Sequence, residues 1–215
     1  MLLKTFQHIG VPVILLLFIC PLFAQEQWKQ VYKDGDIVVF TRHISGLAFK
    51  QLRIETRFYC APATFLSLIR DIEAQPKYIY GCLLASNIKD VNVCEHIFYQ
   101  HLYMPWPFQD RDGFFDQRIT TDSINGQIDI TTIAVGNYQP EVKNYVRIRN
   151  MRSHWHLTRL QNGISAEYEL GVDPGGNVPA WLVNMFIKDA PVKTVRNMRT
   201  LLQLNKYNQQ TVKKN

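Results

Sequence analysis

The residues that most constrain this chain are Asp173-Pro174-Gly175-Gly176-Asn177-Val178-Pro179-Ala180-Trp181-Leu182. A run of strand character, Ser165 to Val172, ends there, and the pattern predicts a long amphipathic helix over residues 178–204. Two adjacent glycines permit a sharp reversal through positive φ. Pro179 suits the first turn of a helix, where its missing N–H costs nothing. On the helix, Leu182, Met185, Phe186, Val192, Val195, Met198, Leu201 and Leu202 fall on one stripe,. Lys188, Lys193, Arg196, Arg199 and Lys206 lie mainly on other faces, where they suit transient contact with an anionic membrane surface or with solvent,. A sheet is thus handed to a lid-like helix through a specified turn, as a container with a movable closure requires. Pro191 interrupts that helix and removes one backbone hydrogen bond, which predicts a kink near Ile187 and a natural hinge,.

Ahead of the domain, Met1 to His8 carries Lys4 and no acid, and Ile9 to Phe23 is an apolar run broken only by Gly10, Pro12 and Pro21. Ala24 then precedes the polar Gln25-Glu26-Gln27. This reads as a secretory signal peptide over residues 1–24. The run is shorter than the ~20 residues of a membrane span, and Ile19 before Cys20 is too large for a lipoprotein signal. The protein is therefore expected to be exported, periplasmic or secreted, with residues 25–215 forming a single domain. Its 47% hydrophobic content supplies a substantial core,. The net charge of +6 comes from dispersed residues, with no basic run interleaved with aromatics, which argues against nucleic acid as a partner,. Cys60, Cys82 and Cys94 are an odd number, so at least one is unpaired in a monomer,. A Cys82–Cys94 bridge is conceivable in an oxidising compartment, and buried free thiols are the plainer alternative.

Along the domain, Trp28 to Lys33 reads as a short helical lead-in. Strands follow at 37–42 and 49–59, the latter with Leu52, Ile54, Thr56 and Phe58 on one face,. Ala61-Pro62 opens a helix, which Asp71, Glu73 and Pro76 close. About seven strands come next, at 83–89, 95–103, 114–121, 127–135, 144–151, 154–160 and 165–172, joined mostly by short turns such as Asn125-Gly126 and Asn162-Gly163,. Short turns make the sheet antiparallel. A twisted sheet of this size, wrapped on one long helix, encloses space between the two.

The chain resembles the START domains, the lipid-transfer fold related to the steroidogenic acute regulatory protein, and is most similar to the exported bacterial type. The resemblance rests on Lys33-Asp34-Gly35-Asp36-Ile37-Val38-Val39-Phe40-Thr41-Arg42, Phe49-Lys50, Pro105-Trp106-Pro107, Asp110-Arg111-Asp112, Tyr145-Val146-Arg147, Trp155 with Leu157, and Asp173-Pro174-Gly175-Gly176 with Pro179-Ala180-Trp181-Leu182-Val183-Asn184, in that order. It implies an α+β helix-grip fold: a curved antiparallel β-sheet gripping a long C-terminal α-helix over an internal lipid-sized cavity, with the helix as gate. Two departures stand out. Gly113 replaces the apolar residue that usually follows Arg-Asp, and Gln117 stands where some sterol-binding members carry an Arg paired with a buried acid; Arg118, one step on, lies on the opposite face.

The expected function is binding, and possibly transfer, of a lipid or other hydrophobic small molecule, without a cofactor. The predicted ligand-binding residues are Tyr99, His101, Phe115, Gln117, Trp155, Tyr168, Met185, Phe186 and Met198. Trp106 and Phe108, between prolines, form a rim or gate together with Pro191, and the alternative for that loop is packing over the sheet edge. Asp110, Arg111 and Asp112 are expected to be a structural ion-pair cluster, because an Arg flanked by two acids makes a poor anion receptor. His154-x-His156 places two imidazoles on one strand face, with no third ligand at a convincing spacing, so no metal is expected. An enzyme of cyclase/aromatase or hydrolase type is the alternative, with His101 or Tyr99 as its acid–base group. An interaction module with a filled interior is the third reading.

Overall fold

The structure, a computed structural model, describes residues 27–44, 49–122, 124–136, 138–176 and 178–208, without the side chains of 180, 181, 183–188 and 208. The predicted signal segment 1–24, Asn177 and the basic tail beyond 208 lie outside the described residues. Three strands come first: β1 (Lys29–Asp34), β2 (Ile37–Arg42) and β3 (Gln51–Phe58). The lead-in expected to be helical is therefore a strand. Its edge position is held across the sheet by Trp28, whose ring lies 4.3 Å from the Arg42 guanidinium and 4.7 Å from that of Arg53,.

Helix α1 (Pro62–Arg70), a 3-10 turn at Ile72–Ala74 and the short α2 (Gln75–Tyr78) follow. Pro62 sits in the first turn of α1, and Thr64, Phe65, Leu68 and Ile69 form its buried face,. The chain then builds β4 (Cys82–Asn92), β5 (Glu95–Leu102), β6 (Arg111–Asp122), β7 (Gln127–Ala134), β8 (Val146–Arg147), β9 (Asn150–Leu160) and β10 (Gly163–Asp173). The strand expected over 144–151 is in fact split. Only Val146 and Arg147 pair, parallel to Arg111 and Asp112 of β6, and the chain joins β9 at Asn150.

Helix α3 (Ala180–Leu202) runs through Pro191 without a break in assignment, and α4 (Asn205–Asn208) closes the described chain. The sheet order is β1-β2-β3-β10-β9-β7-β6-β5-β4, antiparallel throughout apart from the β8 contact. Its ends, β1 and β4, do not meet, so the sheet is open and curved around the helix.

The core lies where the sheet, α1 and α3 converge. Phe58, Phe65, Ile130, Leu157, Val195 and Met198 are all at or below 1% exposed. Phe65 stacks edge-on against Trp155 at 5.5 Å between ring centroids. On α3, Leu182, Val192, Val195, Met198 and Leu202 are buried as the stripe predicts.

Among the described side chains on the basic faces of α3, Lys193 lies 4.5 Å from the Tyr80 ring centroid and the arginines are paired. Arg196 pairs with Asp34, Arg199 with Asp36 at 2.7 Å, and Lys206, beyond the helix, with Asp71. Arg199 also donates to Thr56 Oγ1 at 2.8 Å and the Arg57 carbonyl at 2.9 Å. The C-terminal half of the helix is thereby fastened to the β1–β2 turn and the end of β3.

Core and cavity walls are expected to respond differently to truncation. Ile130→Ala should cost about 2–5 kcal/mol in urea unfolding, as a void opens in packed surroundings. Leu170→Ala should cost clearly less in ligand-free protein, because that side chain already borders open space.

Candidate functional site

Between the sheet and α3 lies a cavity of about 340 Å³. It is within the size range of small-molecule sites. Its walls are mostly apolar: Leu52 and Ile54 of β3, Phe98 and Leu102 of β5, Phe115 of β6, Trp155 of β9, Leu170 and Val172 of β10, and Pro191, Val195 and Met198 of α3. Ile69, Tyr78, Ile79 and Tyr80 close it from the α1–α2 side. Strand alternation generates this list, since every second residue of each strand faces inward.

Of the predicted ligand residues, Phe115, Gln117, Trp155, Tyr168 and Met198 line the cavity, and so does Pro191. The side chains of Met185 and Phe186 lie outside the described residues. Tyr99 and His101 are misplaced by one step of parity. The inward residues of β5 are His96, Phe98 and Gln100, and Gln100 is held there by a 2.6 Å bond from its amide to Gln75 Oε1. Tyr99 and His101 point to the other face of the sheet. That face is covered by the segment 138–147, so β6 is buried on both sides from Arg111 to Gln117 and the usual inside–outside contrast disappears,. There His101 stacks on Tyr145 at 4.3 Å and bonds Asp110 at 2.8 Å. Tyr99 packs on Phe114 and donates to Asp112 at 3.4 Å. Burial first, and then the Asp112 carboxylate, push the Tyr99 phenol up to about 12.

The Asp110-Arg111-Asp112 triplet is structural, though not as an internal cluster. Alternation turns Arg111 away from its neighbours, and its guanidinium donates to the carbonyls of Gln109, Pro174 and Gly175. Asp110 instead accepts from the Met104 amide at 2.9 Å. Asp112 meets Arg147 in a two-pronged pair, 2.7 and 2.9 Å, with both side chains at most 3% exposed,. Arg147 also donates to the carbonyls of Gln139 and Pro140. Adjacent residues of β6 thus anchor the covering segment and the turn that launches α3. In that turn Gly175 and Gly176 adopt φ of 67° and 64°, and a Cβ on Gly175 would approach Val146 Cγ1 to 3.1 Å,.

Gly113 has a packing reason. A Cβ there would fall 2.5 Å from the Phe115 ring, which lies over the glycine and forms part of the cavity wall.

Trp106 is 91% exposed, and Phe108 is half-buried. The loop tip therefore stands clear of the sheet edge and is not packed on it. Tyr103, at the start of the loop, is also exposed, and its amide donates to the Gly81 carbonyl at 2.8 Å. His154 and His156 do share a third group, Asp129 Oδ1, at 2.9 Å each, but among the described residues no set of His, Cys, Asp and Glu is arranged to hold a metal ion. The three thiols are free. Burial pushes Cys60 up to about 11 and Cys82 up to about 12, so neither is a ready nucleophile,.

What the sequence reasoning missed is the polar company that Gln117 keeps, Thr132 and Ser153. Gln117 of β6, Thr132 of β7 and Ser153 of β9 stand opposite one another in register and all face the cavity. Gln117 Nε2 donates to Thr132 Oγ1 at 3.2 Å. The signal was present, since each residue interrupts an otherwise apolar inward series: Phe115-x-Gln117-x-Ile119, Ile130-x-Thr132 and Ser153-x-Trp155. Lys50 is the one charged residue on the described wall, at the partly exposed end.

The START domain sequence model matches residues 21–208. An uncharacterized protein of Pseudomonas aeruginosa is 28% identical over 177 residues, covering 81% of this chain and 86% of its own. Among solved structures, a STAR-related lipid transfer protein fragment from Xanthomonas axonopodis superposes with a TM-score of 0.76 at 26% identity, covering 82% of this chain and 99% of that one. Human STARD10 superposes at 0.73 with 18% identity over 86% and 76% of the two chains, and human StAR-related lipid transfer protein 5 at 0.71 with 15% identity over 84% and 88%. The last two are likenesses of fold.

The buried pair is the feature whose loss should be felt most widely. Arg147→Met leaves the Asp112 carboxylate buried and unpaired, and should lower unfolding free energy by about 3–5 kcal/mol in chemical denaturation.

Proposed function

The chain belongs to the START domain family, and from that premise we propose that it holds one lipid or similarly hydrophobic molecule between the sheet and α3 and passes it on without altering it. The observation that carries this reading is the apolar cavity of about 340 Å³ walled by Phe115, Trp155, Leu170 and Met198. Each ligand CH₂ withdrawn from water into such a space contributes about 0.8 kcal/mol, so affinity needs no special chemistry. The same cavity speaks against an interaction module with a filled interior. The enzyme reading loses the groups named for it, because Tyr99 and His101 sit across the sheet from the cavity.

Exchange would proceed by movement at the helix and at the Pro105-to-Phe108 loop. Pro191 borders the cavity, and its ring nitrogen offers no hydrogen bond to the Ile187 carbonyl, so the helix is weakest where it meets ligand,. Arg196, Arg199 and Lys206 are already paired, so membrane contact is better assigned to the exposed Trp106 and Tyr103 than to a basic helix face,. Export is part of the proposal and rests on the character of residues 1–24.

Two measurements test it. Native mass spectrometry of protein purified from its own envelope should find a stoichiometric apolar molecule on a chain lacking the first 24 residues. A reproducibly empty protein would count against a carrier, and a full-length chain against cleavage. Separately, Pro191→Ala should restore the missing hydrogen bond and slow transfer of a fluorescent lipid between vesicles severalfold; unchanged rates would remove Pro191 as the hinge.

A further inference from the structure

Lysine is among the residues least often turned toward an apolar interior. Lys50 is turned that way. It stands just before β3 on the parity of Leu52 and Ile54, and lines the cavity with them,. The strand register sets the depth of each position. Leu170 lies opposite Leu52, and Val172 opposite Met151, so Lys50 is level with Val172 and Met151 in the outermost row of the wall. All three are half-buried, as is Leu102 at the end of β5, and Tyr80 is exposed. Two rows further in, Ile54 and Trp155 are buried. Lys50 therefore marks the mouth of the site.

The amides on the wall have partners within the protein. Gln100 donates to Gln75 at 2.6 Å, and Gln117 donates to Thr132 at 3.2 Å and shares a side-chain hydrogen bond with His96. On the outer face of the sheet, Arg42 meets Gln51 and Glu169, and Arg53 meets Glu55 and Glu167. Lys50 makes no ion pair or side-chain hydrogen bond with any described residue, and no acid stands on the described wall. A second cation adds to the charge at this end, since Lys193 Nζ lies 4.5 Å from the ring centroid of Tyr80, itself a wall residue. The mouth is thus electropositive and the interior apolar. An acidic head with an apolar tail satisfies both, whereas an ammonium head meets like charge and a neutral one leaves the lysine unpaired. The volume of about 340 Å³ is near the lower end of ligand sites, roughly 300–1,000 Å³, which suits one chain better than the two of a diacyl lipid,.

We infer that the ligand is a single-chain anionic amphiphile, seated tail-first, with its acidic head on the Lys50 ammonium at the mouth and its chain between the sheet and α3. This rests on the carrier reading above and specifies its cargo. A lysine is a compact charge on a flexible stem, so it receives a carboxylate or a phosphate head.

The test is isothermal titration of the purified protein at pH 7.5 with four probes of one chain length: decanoate, decyl phosphate, 1-decanol and decyltrimethylammonium. At least one anion should bind about three- to tenfold more tightly than decanol, a gap between that of an exposed ion pair and that of a charge-assisted hydrogen bond. The ammonium should bind most weakly, and added salt should narrow the spread. Whichever anion binds better distinguishes a carboxylic acid from a phosphate ester. Lys50→Met should erase the advantage of the anions while changing decanol binding less than about twofold, the scale of an uncharged contact kept in place, and Lys50→Arg should retain it. Anions that bind no better than decanol, or an advantage that survives Lys50→Met, would overturn the inference. So would a Lys50→Met protein that keeps its decanoate affinity but loses binding to phosphatidylglycerol vesicles, which would give Lys50 to a membrane surface. Failure to bind any probe would sink the carrier reading as well, whereas binding without preference for the anions sinks this one alone. The comparison of probes on the unaltered protein decides the matter even if a variant fails to fold.

Discussion

The buried Asp112–Arg147 pair is the contact on which the placement of the other parts depends. An isolated carboxylate or guanidinium in that position would be strongly unfavourable, so the two are obliged to meet, and their meeting joins positions 35 residues apart in the chain. Arg147 brings the segment 138–147 onto the outer face of β5 and β6, where Tyr99, His101, Phe114, Tyr138 and Tyr145 pack together. Arg111, the neighbour of Asp112, reaches to the other side and holds the Pro174 and Gly175 carbonyls. One short stretch of β6 therefore sets both the back of the sheet and the launching point of α3.

The helix is then fixed at both ends by different physics. Ahead of its start, the buried Arg111 grips the Pro174 and Gly175 carbonyls; beyond its middle, Arg196 and Arg199 reach partly exposed acids of the β1–β2 turn. Exposed pairs of this kind contribute little each, with a median of about 0–1 kcal/mol. Their effect on position exceeds their effect on stability, and the apolar contacts of Val192, Val195 and Met198 supply the adhesion. Between the two attachments lies Pro191, bordering the cavity. A closure that is held at its ends and weakened in the middle suits a site that must open without unfolding.

Much of this was legible in the sequence, and the failures have physical causes. Periodicity exposed the helix stripe, the inward faces of β3, β6, β9 and β10, and the turn at Gly175-Gly176, since each depends on local geometry. It failed at Tyr99 and His101 because β5 and β6 are covered on both faces, which removes the contrast that parity reading needs. It failed at Trp28–Lys33 because an edge strand pinned by Arg42 and Arg53 owes its form to residues far along the chain. The partners of Asp110, Arg111 and Asp112 were equally out of reach, because adjacency in sequence suggested that they neutralise one another and strand alternation separates them. The polar row was visible as three interruptions of apolar series, but its continuity appears only when the register sets Gln117, Thr132 and Ser153 side by side.

A cavity beside a well-packed core is a cost that the fold carries for function. Voids lined by apolar groups forfeit the contacts that would otherwise fill them. A molecule that filled the void would restore those contacts, and its occupancy would stabilise the native state by RT ln(1 + [L]/Kd).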